Sequence, residues 1–151
     1  MKKKIVIGSL VVVVLSAGLL TVTRTLYPTN IAETAPNHEE EKLRSRHYKT
    51  DLKTFAAETQ KIIPTLSTWG GNWKYVSTDA QENSALIKAE VPVVVFTDDL
   101  AVKAEKDAAD GVIVVNIRSN SRVGKSDFGE NRRHVLQILE ALDAKFSRSE
   151  K

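Results

Sequence analysis

Between residues 118 and 133 the chain sets five cations, Arg118, Arg122, Lys125, Arg132 and Arg133, against two carboxylates, Asp127 and Glu130. Ser119, Ser121 and Ser126 lie among them, and Gly124 and Gly129 permit unusual backbone dihedrals. Cations beside the free amides of a helix start attract negative charge. The stretch is therefore a candidate anion site, with Arg118, Arg122, Lys125, Ser126 and Arg132 as ligand-binding residues. A lipid phosphate, a carboxylate or an anionic envelope polymer would suit it. A structural reading competes: Asp127 can cap the helix and fill the place an anion would take. Asp98, Asp99 and Asp127 then form a clamp, with a loop arginine answering Asp98 or Asp99.

Catalysis finds less support. Asp98 and Asp99 are adjacent on a strand and so point to opposite faces, which prevents them from acting together on one bond. Asp98 shares the register of Phe96 and Leu100, which predicts partial burial. A buried carboxylate is costly unless partners meet it, and Arg118, Arg122 and Arg132 are the partners at hand. Of the three histidines, His38 falls in a polar segment, His47 at a domain edge, and His134 on the expected outer side of a helix. None has metal-ligand spacing, and neither G-x-S-x-G nor H-E-x-x-H occurs. Ser121 or Ser126 as nucleophile would need a histidine from elsewhere, with His47 the free candidate. No catalytic residue, metal ligand or cofactor is assigned, and a hydrolase of unknown substrate is the minor alternative.

The run from Arg118 to Arg133, preceded by Phe96-Thr97-Asp98-Asp99, resembles the bacterial and plastid family catalogued as domain of unknown function 1499. That family's pattern is F-x-D-D, a strand, then R-S-x-S-R-x-G-x-S-D-x-G-x-N and a helix, and every position matches here. The resemblance extends over residues 40–146. It implies no activity, because none is established for the family. Some members carry cysteines near the domain start, whereas this chain has none.

Composition narrows the partners. Lys2, Lys3 and Lys4 account for the whole excess of 22 basic over 19 acidic residues, so the chain from Arg24 onward is neutral. A nucleic-acid binder needs a sustained basic face, and that class is set aside. Without cysteine there is no disulfide framework or thiolate metal site.

After the lysines, Ile5 to Thr23 runs nineteen residues without a charge. As a helix that is about 28 Å, close to the thickness of a hydrocarbon core. It reads as a signal anchor, or as a signal peptide cut after Ser16-Ala17-Gly18. Lysines are retained on the cytoplasmic side, which predicts a single pass through the bacterial cytoplasmic membrane with the rest of the chain outside. Cleavage would instead release a secreted or periplasmic domain. Residues 24–46, with Pro28, Pro36 and the acidic Glu39-Glu40-Glu41, read as an extracytoplasmic spacer.

The folded domain is expected over 47–147. Asp51 to Ile63 has helical spacing, with Thr50 as N-cap and Pro64 as terminator. Trp69 and Trp73 flank a Gly70-Gly71 turn and either line a pocket or cover one end of the core. Strands are expected at 73–77, 85–91, 93–106 and 112–119, with Pro92 as an interruption and 107–111 as a hairpin loop. A closing helix starts at Ser126 or Asp127, with a capping box between Asp127 and Glu130. Its packing stripe is Phe128, Val135, Leu139, Leu142 and Phe146. The expected architecture is α+β: a four-stranded antiparallel sheet with an N-terminal and a C-terminal helix packed on one face, in the order α-β-β-β-β-α, preceded by an N-terminal transmembrane helix. The expected function is non-catalytic binding of an anionic or lipid-like ligand or an envelope partner. The alternative is an interaction module whose Asp/Arg cluster only stabilises the fold.

Overall fold

A computed structural model of the protein describes residues 29–109 and 111–149. Its strands are β1 (Ile31–Glu33), β2 (Arg46–Lys49), β3 (Ser67–Thr68), β4 (Gly71–Asn72), β5 (Lys74–Ala80), β6 (Ser84–Val93), β7 (Phe96–Lys106) and β8 (Val112–Ser121). Its helices are α1 (Leu52–Ile62) and α2 (Glu130–Lys145). The main sheet is antiparallel and six-stranded, in the order β1-β8-β7-β6-β5, with β2 also on the β8 edge. Strands β3 and β4 make a separate small hairpin.

Alternation along the three long strands fixes which face is covered. Ala85, Ile87, Ala89 and Val91 of β6, Leu100, Val102 and Ala104 of β7, and Ile113, Val115 and Ile117 of β8 are buried. Their neighbours in sequence are partly or fully exposed, the period-two signature of a sheet covered on one side. Both helices lie on that covered face. Helix α1 packs on β6 and β7, and α2 packs on β8 and β1. Helix α1 starts because Asp51 accepts a bond of 2.8 Å from the Thr54 amide, and it ends in a 3-10 turn containing Pro64. Phe55 of α1 stacks with Tyr48 of β2 and Phe146 at the end of α2, with ring centroids 5.2 to 6.1 Å apart. At that end of the molecule Asp143 accepts bonds from Tyr48 at 2.8 Å and Arg148 at 2.7 Å.

Several expectations need correction. The sheet has six strands rather than four, and the two added ones fall in or at the end of the segment read as a spacer. Ile31 pairs with Asn120 and Glu33 with Arg118, while Arg46 to Lys49 pair with Val115 to Val112. Each is too short to show a pattern, and each forms because the β8 edge has backbone groups to satisfy. Residues 93–106 are not one strand: a two-residue turn at Val94-Val95 joins β6 to β7, with Val93 opposite Phe96. Pro92 sits inside β6, beyond Glu90, where the pairing with β5 stops. Asp51, not Thr50, caps α1. The expected transmembrane helix over residues 5–23 lies outside the described residues. Among the described residues no helix is long and apolar enough to cross a membrane.

Candidate functional site: a buried polar cluster and its cleft

The loop after β8 has positive φ at Gly124, 92°, and delivers the chain to α2 through two consecutive residues with positive φ, Phe128 at 55° and Gly129 at 85°. Asp127 closes the helix start. Its Oδ1 accepts from the Gly129 amide at 2.9 Å and its Oδ2 from the Asn131 amide at 2.7 Å. The free amides that could have held an anion are thus answered by a side chain. The helix starts at Glu130, later than the expected Ser126 or Asp127, so Glu130 is its first residue and cannot close the expected capping box; it pairs with Arg133 and approaches His134 instead.

Behind the cap lies a buried polar cluster. Asn131 is fully buried, accepts from Ser119 Oγ at 2.6 Å, and donates to Ser121 Oγ at 2.8 Å and to the Asn30 carbonyl at 2.9 Å. His134 is 1 % exposed and lies edge-on to the buried Trp73, with ring centroids 5.9 Å apart. Its Nδ1 is 3.4 Å from Ser119 Oγ and 3.6 Å from Asp98 Oδ2. Burial, aided by the neighbouring Arg133, pulls the imidazole pKa down to about 4, against the opposing pull of Asp127. Burial likewise raises the Asp98 carboxyl, while a hydrogen bond from Ser121 works the other way.

Ser119, His134 and Asp98 invite comparison with a hydrolytic relay, and the geometry argues against one. A relay needs the nucleophile on one ring nitrogen and the carboxylate on the other. Here both approach Nδ1, and the buried Ser119 hydroxyl donates its proton to Asn131. With that proton committed, Ser119 can only accept from the ring. An imidazole with its proton on Nδ1, facing Ser119 and Asp98, would leave Nε2 as a bare acceptor. Nε2 is buried without a hydrogen-bond partner, with Glu130 Oε2 at 3.7 Å its nearest carboxylate oxygen.

His134 lines a cleft of about 480 Å³, with its Nε2 itself buried. The β3–β4 hairpin forms one wall through Thr68 and Trp69, the β6–β7 turn another through Val93 and Val94, and α2 the third through Glu130, Arg133, His134 and Gln137. Gly70 lets the hairpin approach this closely: a Cβ there would sit 2.6 Å from the Pro92 carbonyl carbon. Trp69 is 99 % exposed, so the two tryptophans divide the roles expected of them, Trp73 covering core and Trp69 lining the cleft.

The sequence-derived anion residues do not converge on this cleft. Arg118 pairs with Glu33 of β1 at 2.8 Å, and Arg132 bonds Glu40 through Nε at 2.9 Å. Arg122 reaches Asp99 and Glu90, each at 2.6 Å. Lys125 is exposed on the loop, and Ser126 is half-buried beside it. Of the clamp residues, Asp99 meets Arg122. Asp98 turns inward to Ser121 and His134.

Glu90 and Asp99 are direct cross-strand neighbours, so Arg122 holds together two carboxylates that would otherwise repel. Arg122→Ala is therefore expected to lower the melting temperature at low salt, and Glu90→Gln in that background to restore part of the loss. An unchanged melting temperature in low-salt scanning calorimetry would contradict the clamp.

The cluster's central residues, Asn131 and His134, escaped sequence reading because polar residues were set outside the packing stripe. Phe128 was placed inside it and is half exposed. The buried positions are Asn131, His134, Val135, Ile138, Leu139 and Leu142. Their spacing of three and four was legible, had polar residues been allowed on the covered side.

The fold and site define a class: a one-sided antiparallel β-sheet domain with two covering helices and a polar cluster beneath the last of them. The profile described as "Protein of unknown function (DUF1499)" matches residues 21–142, and the chain belongs to that family. No curated protein and no solved structure matches it. The matched span begins ahead of β1, in keeping with a domain that incorporates residues 31–49.

Proposed function

We propose that the protein is a non-catalytic binding module at the extracytoplasmic surface of a membrane, kept there by the uncharged stretch 5–23. Its ligand is a small lipid-like molecule with an anionic head and a hydroxyl group. The observation that carries the reading is His134, buried to 1 % exposure with no partner on Nε2, which lines a cleft whose outer wall is the bare indole of Trp69. An unpaired buried acceptor costs about 1 to 3 kcal/mol, which a ligand hydroxyl donating to it would offset. Arg133 is bonded to Glu130 but carries five N–H groups, leaving donors for an anion at the mouth. Trp69, Val93 and Val94 offer apolar surface to a short acyl chain.

Isothermal titration calorimetry with 3-hydroxydodecanoate below its micellar range tests the reading. Saturable binding is expected, weakened by Trp69→Ala, and about tenfold weaker for dodecanoate, which lacks the hydroxyl. Equal affinity for the two acids, or no saturable binding, would overturn it. For Arg122 alone a structural role is the better-supported reading, since its bridge between Glu90 and Asp99 leaves it a part of the sheet.

A further inference from the structure

We infer that the end of the domain carrying Trp69, the Val94-Val95 turn and the loop 122–129 rests on the bilayer, its apolar side chains entering the headgroup boundary. Six of the eight exposed large hydrophobic side chains among the described residues are at this end: Trp69, Val94, Val95, Phe96, Val123 and Phe128. Pairing places them together, because Asp98 near the start of β7 lies opposite Ser121 at the end of β8. The cleft in turn joins Trp69 and Val94 to the first turns of α2.

The turn itself has an unusual composition. Two-residue hairpin turns favour Asn-Gly, since they call for positive φ. Here Val94 takes φ 45°, a strained conformation for a β-branched residue, and both valines stand more than 70 % exposed. Neither propensity nor core packing accounts for two valines there, whereas contact with hydrocarbon does.

The position of the chain's N-terminal part selects the occupant. Asn30 donates to the Gly124 carbonyl at 2.7 Å, and its own carbonyl accepts from the Ser121 amide at 3.0 Å. The chain therefore enters the domain at this same end. Because residues 31–49 belong to the sheet region, only residues 24–28 separate the uncharged stretch 5–23 from the domain. Six residue steps from Thr23 to Thr29 span at most about 20 Å. A membrane holding the stretch 5–23 thus lies within reach of the apolar end, and Trp69 and Lys125 suit the interface. The inference rests on the membrane attachment proposed above.

The full chain incorporated in phosphatidylcholine–phosphatidylglycerol vesicles tests it, with Trp69 as the natural probe. Flotation of the vesicles reports attachment, and tryptophan quenching reports the docked end. Docking predicts that lipids brominated near the headgroup quench a component of the emission, that aqueous iodide does not reach it, and that Trp69→Phe abolishes it. Val95→Asp should reopen Trp69 to iodide while the protein still floats. Flotation with Trp69 open to iodide would overturn docking and leave attachment standing. Failure to float would overturn both. Shielding that grows with protein-to-lipid ratio, without lipid quenching, would assign the face to a second copy of the chain and overturn the proposal.

Discussion

The domain is expected to lose on the order of 3 kcal/mol of stability between pH 6.5 and 4 through His134. In the folded protein the imidazole stays neutral down to about pH 4, whereas in the unfolded chain it takes a proton near its ordinary 6.5. Between those values the unfolded state binds more protons, so falling pH favours unfolding at up to about 1.4 kcal/mol per pH unit. The contribution is fully present above pH 6.5 and is lost on acidification. Asp98 opposes it: burial raises its carboxyl, so on acidification the folded state takes that proton first and gains relative stability.

Urea denaturation across pH 7 to 4.5 should therefore show a steep decline for the wild type and a much flatter one for His134→Gln. Asp98→Asn should steepen the decline by removing the opposing group. Equal slopes in wild type and His134→Gln would mean that the ring titrates as it does in water. Glu40, Asp51 and Asp143 are held below the usual carboxylate range and Glu58 is lowered to about 2. For Asp143, burial pushes upward but the bonds from Arg148 and Tyr48 outweigh it. The stability these groups supply is present above the ordinary carboxylate values and is lost as pH falls below about 4. Their window thus lies under that of His134.

Asn131→Ala is expected to cost about 3 kcal/mol, or about 10 °C in melting temperature. The side chain is fully buried and serves three partners on two segments: Ser119 and Ser121 of β8, and Asn30 before β1. Truncation leaves polar groups buried and unpaired, at about 1 to 3 kcal/mol for each, with partial relaxation limiting the sum. Ser119→Ala removes one hydroxyl and should cost about 1 kcal/mol. Asn131→Asp keeps the shape but loses both donors and adds a third carboxyl near Asp98 and Asp127, so it should be at least as damaging as alanine. Denaturation midpoints with unchanged m-values would read these differences. A loss below about 1 kcal/mol for Asn131→Ala would show that solvent or neighbours re-satisfy the cluster.

Local order in the sequence was enough for some of this. Strict alternation of Ile113, Val115 and Ile117 against Asn116 and Arg118 determined β8 and its covered face. Pro64 marked the end of α1, Asp127 marked the approach to α2 by answering its first amides, and the loop motif identified the family. Each of these signals acts within a few residues, through period, propensity or a hydrogen bond to a near neighbour. The tertiary structure decided the rest. Strands β1 and β2 exist because the edge of β8 needs partners, and the burial of His134 exists because Trp73 closes over the first turns of α2. The assignment of Asp98 to His134 rather than to an arginine, and the meeting of Trp69, Val94 and Phe128 at one end, likewise join residues tens of positions apart. Such encounters are set by which backbone edges and apolar faces remain to be satisfied once the local elements have formed, and no window of neighbouring residues contains that information.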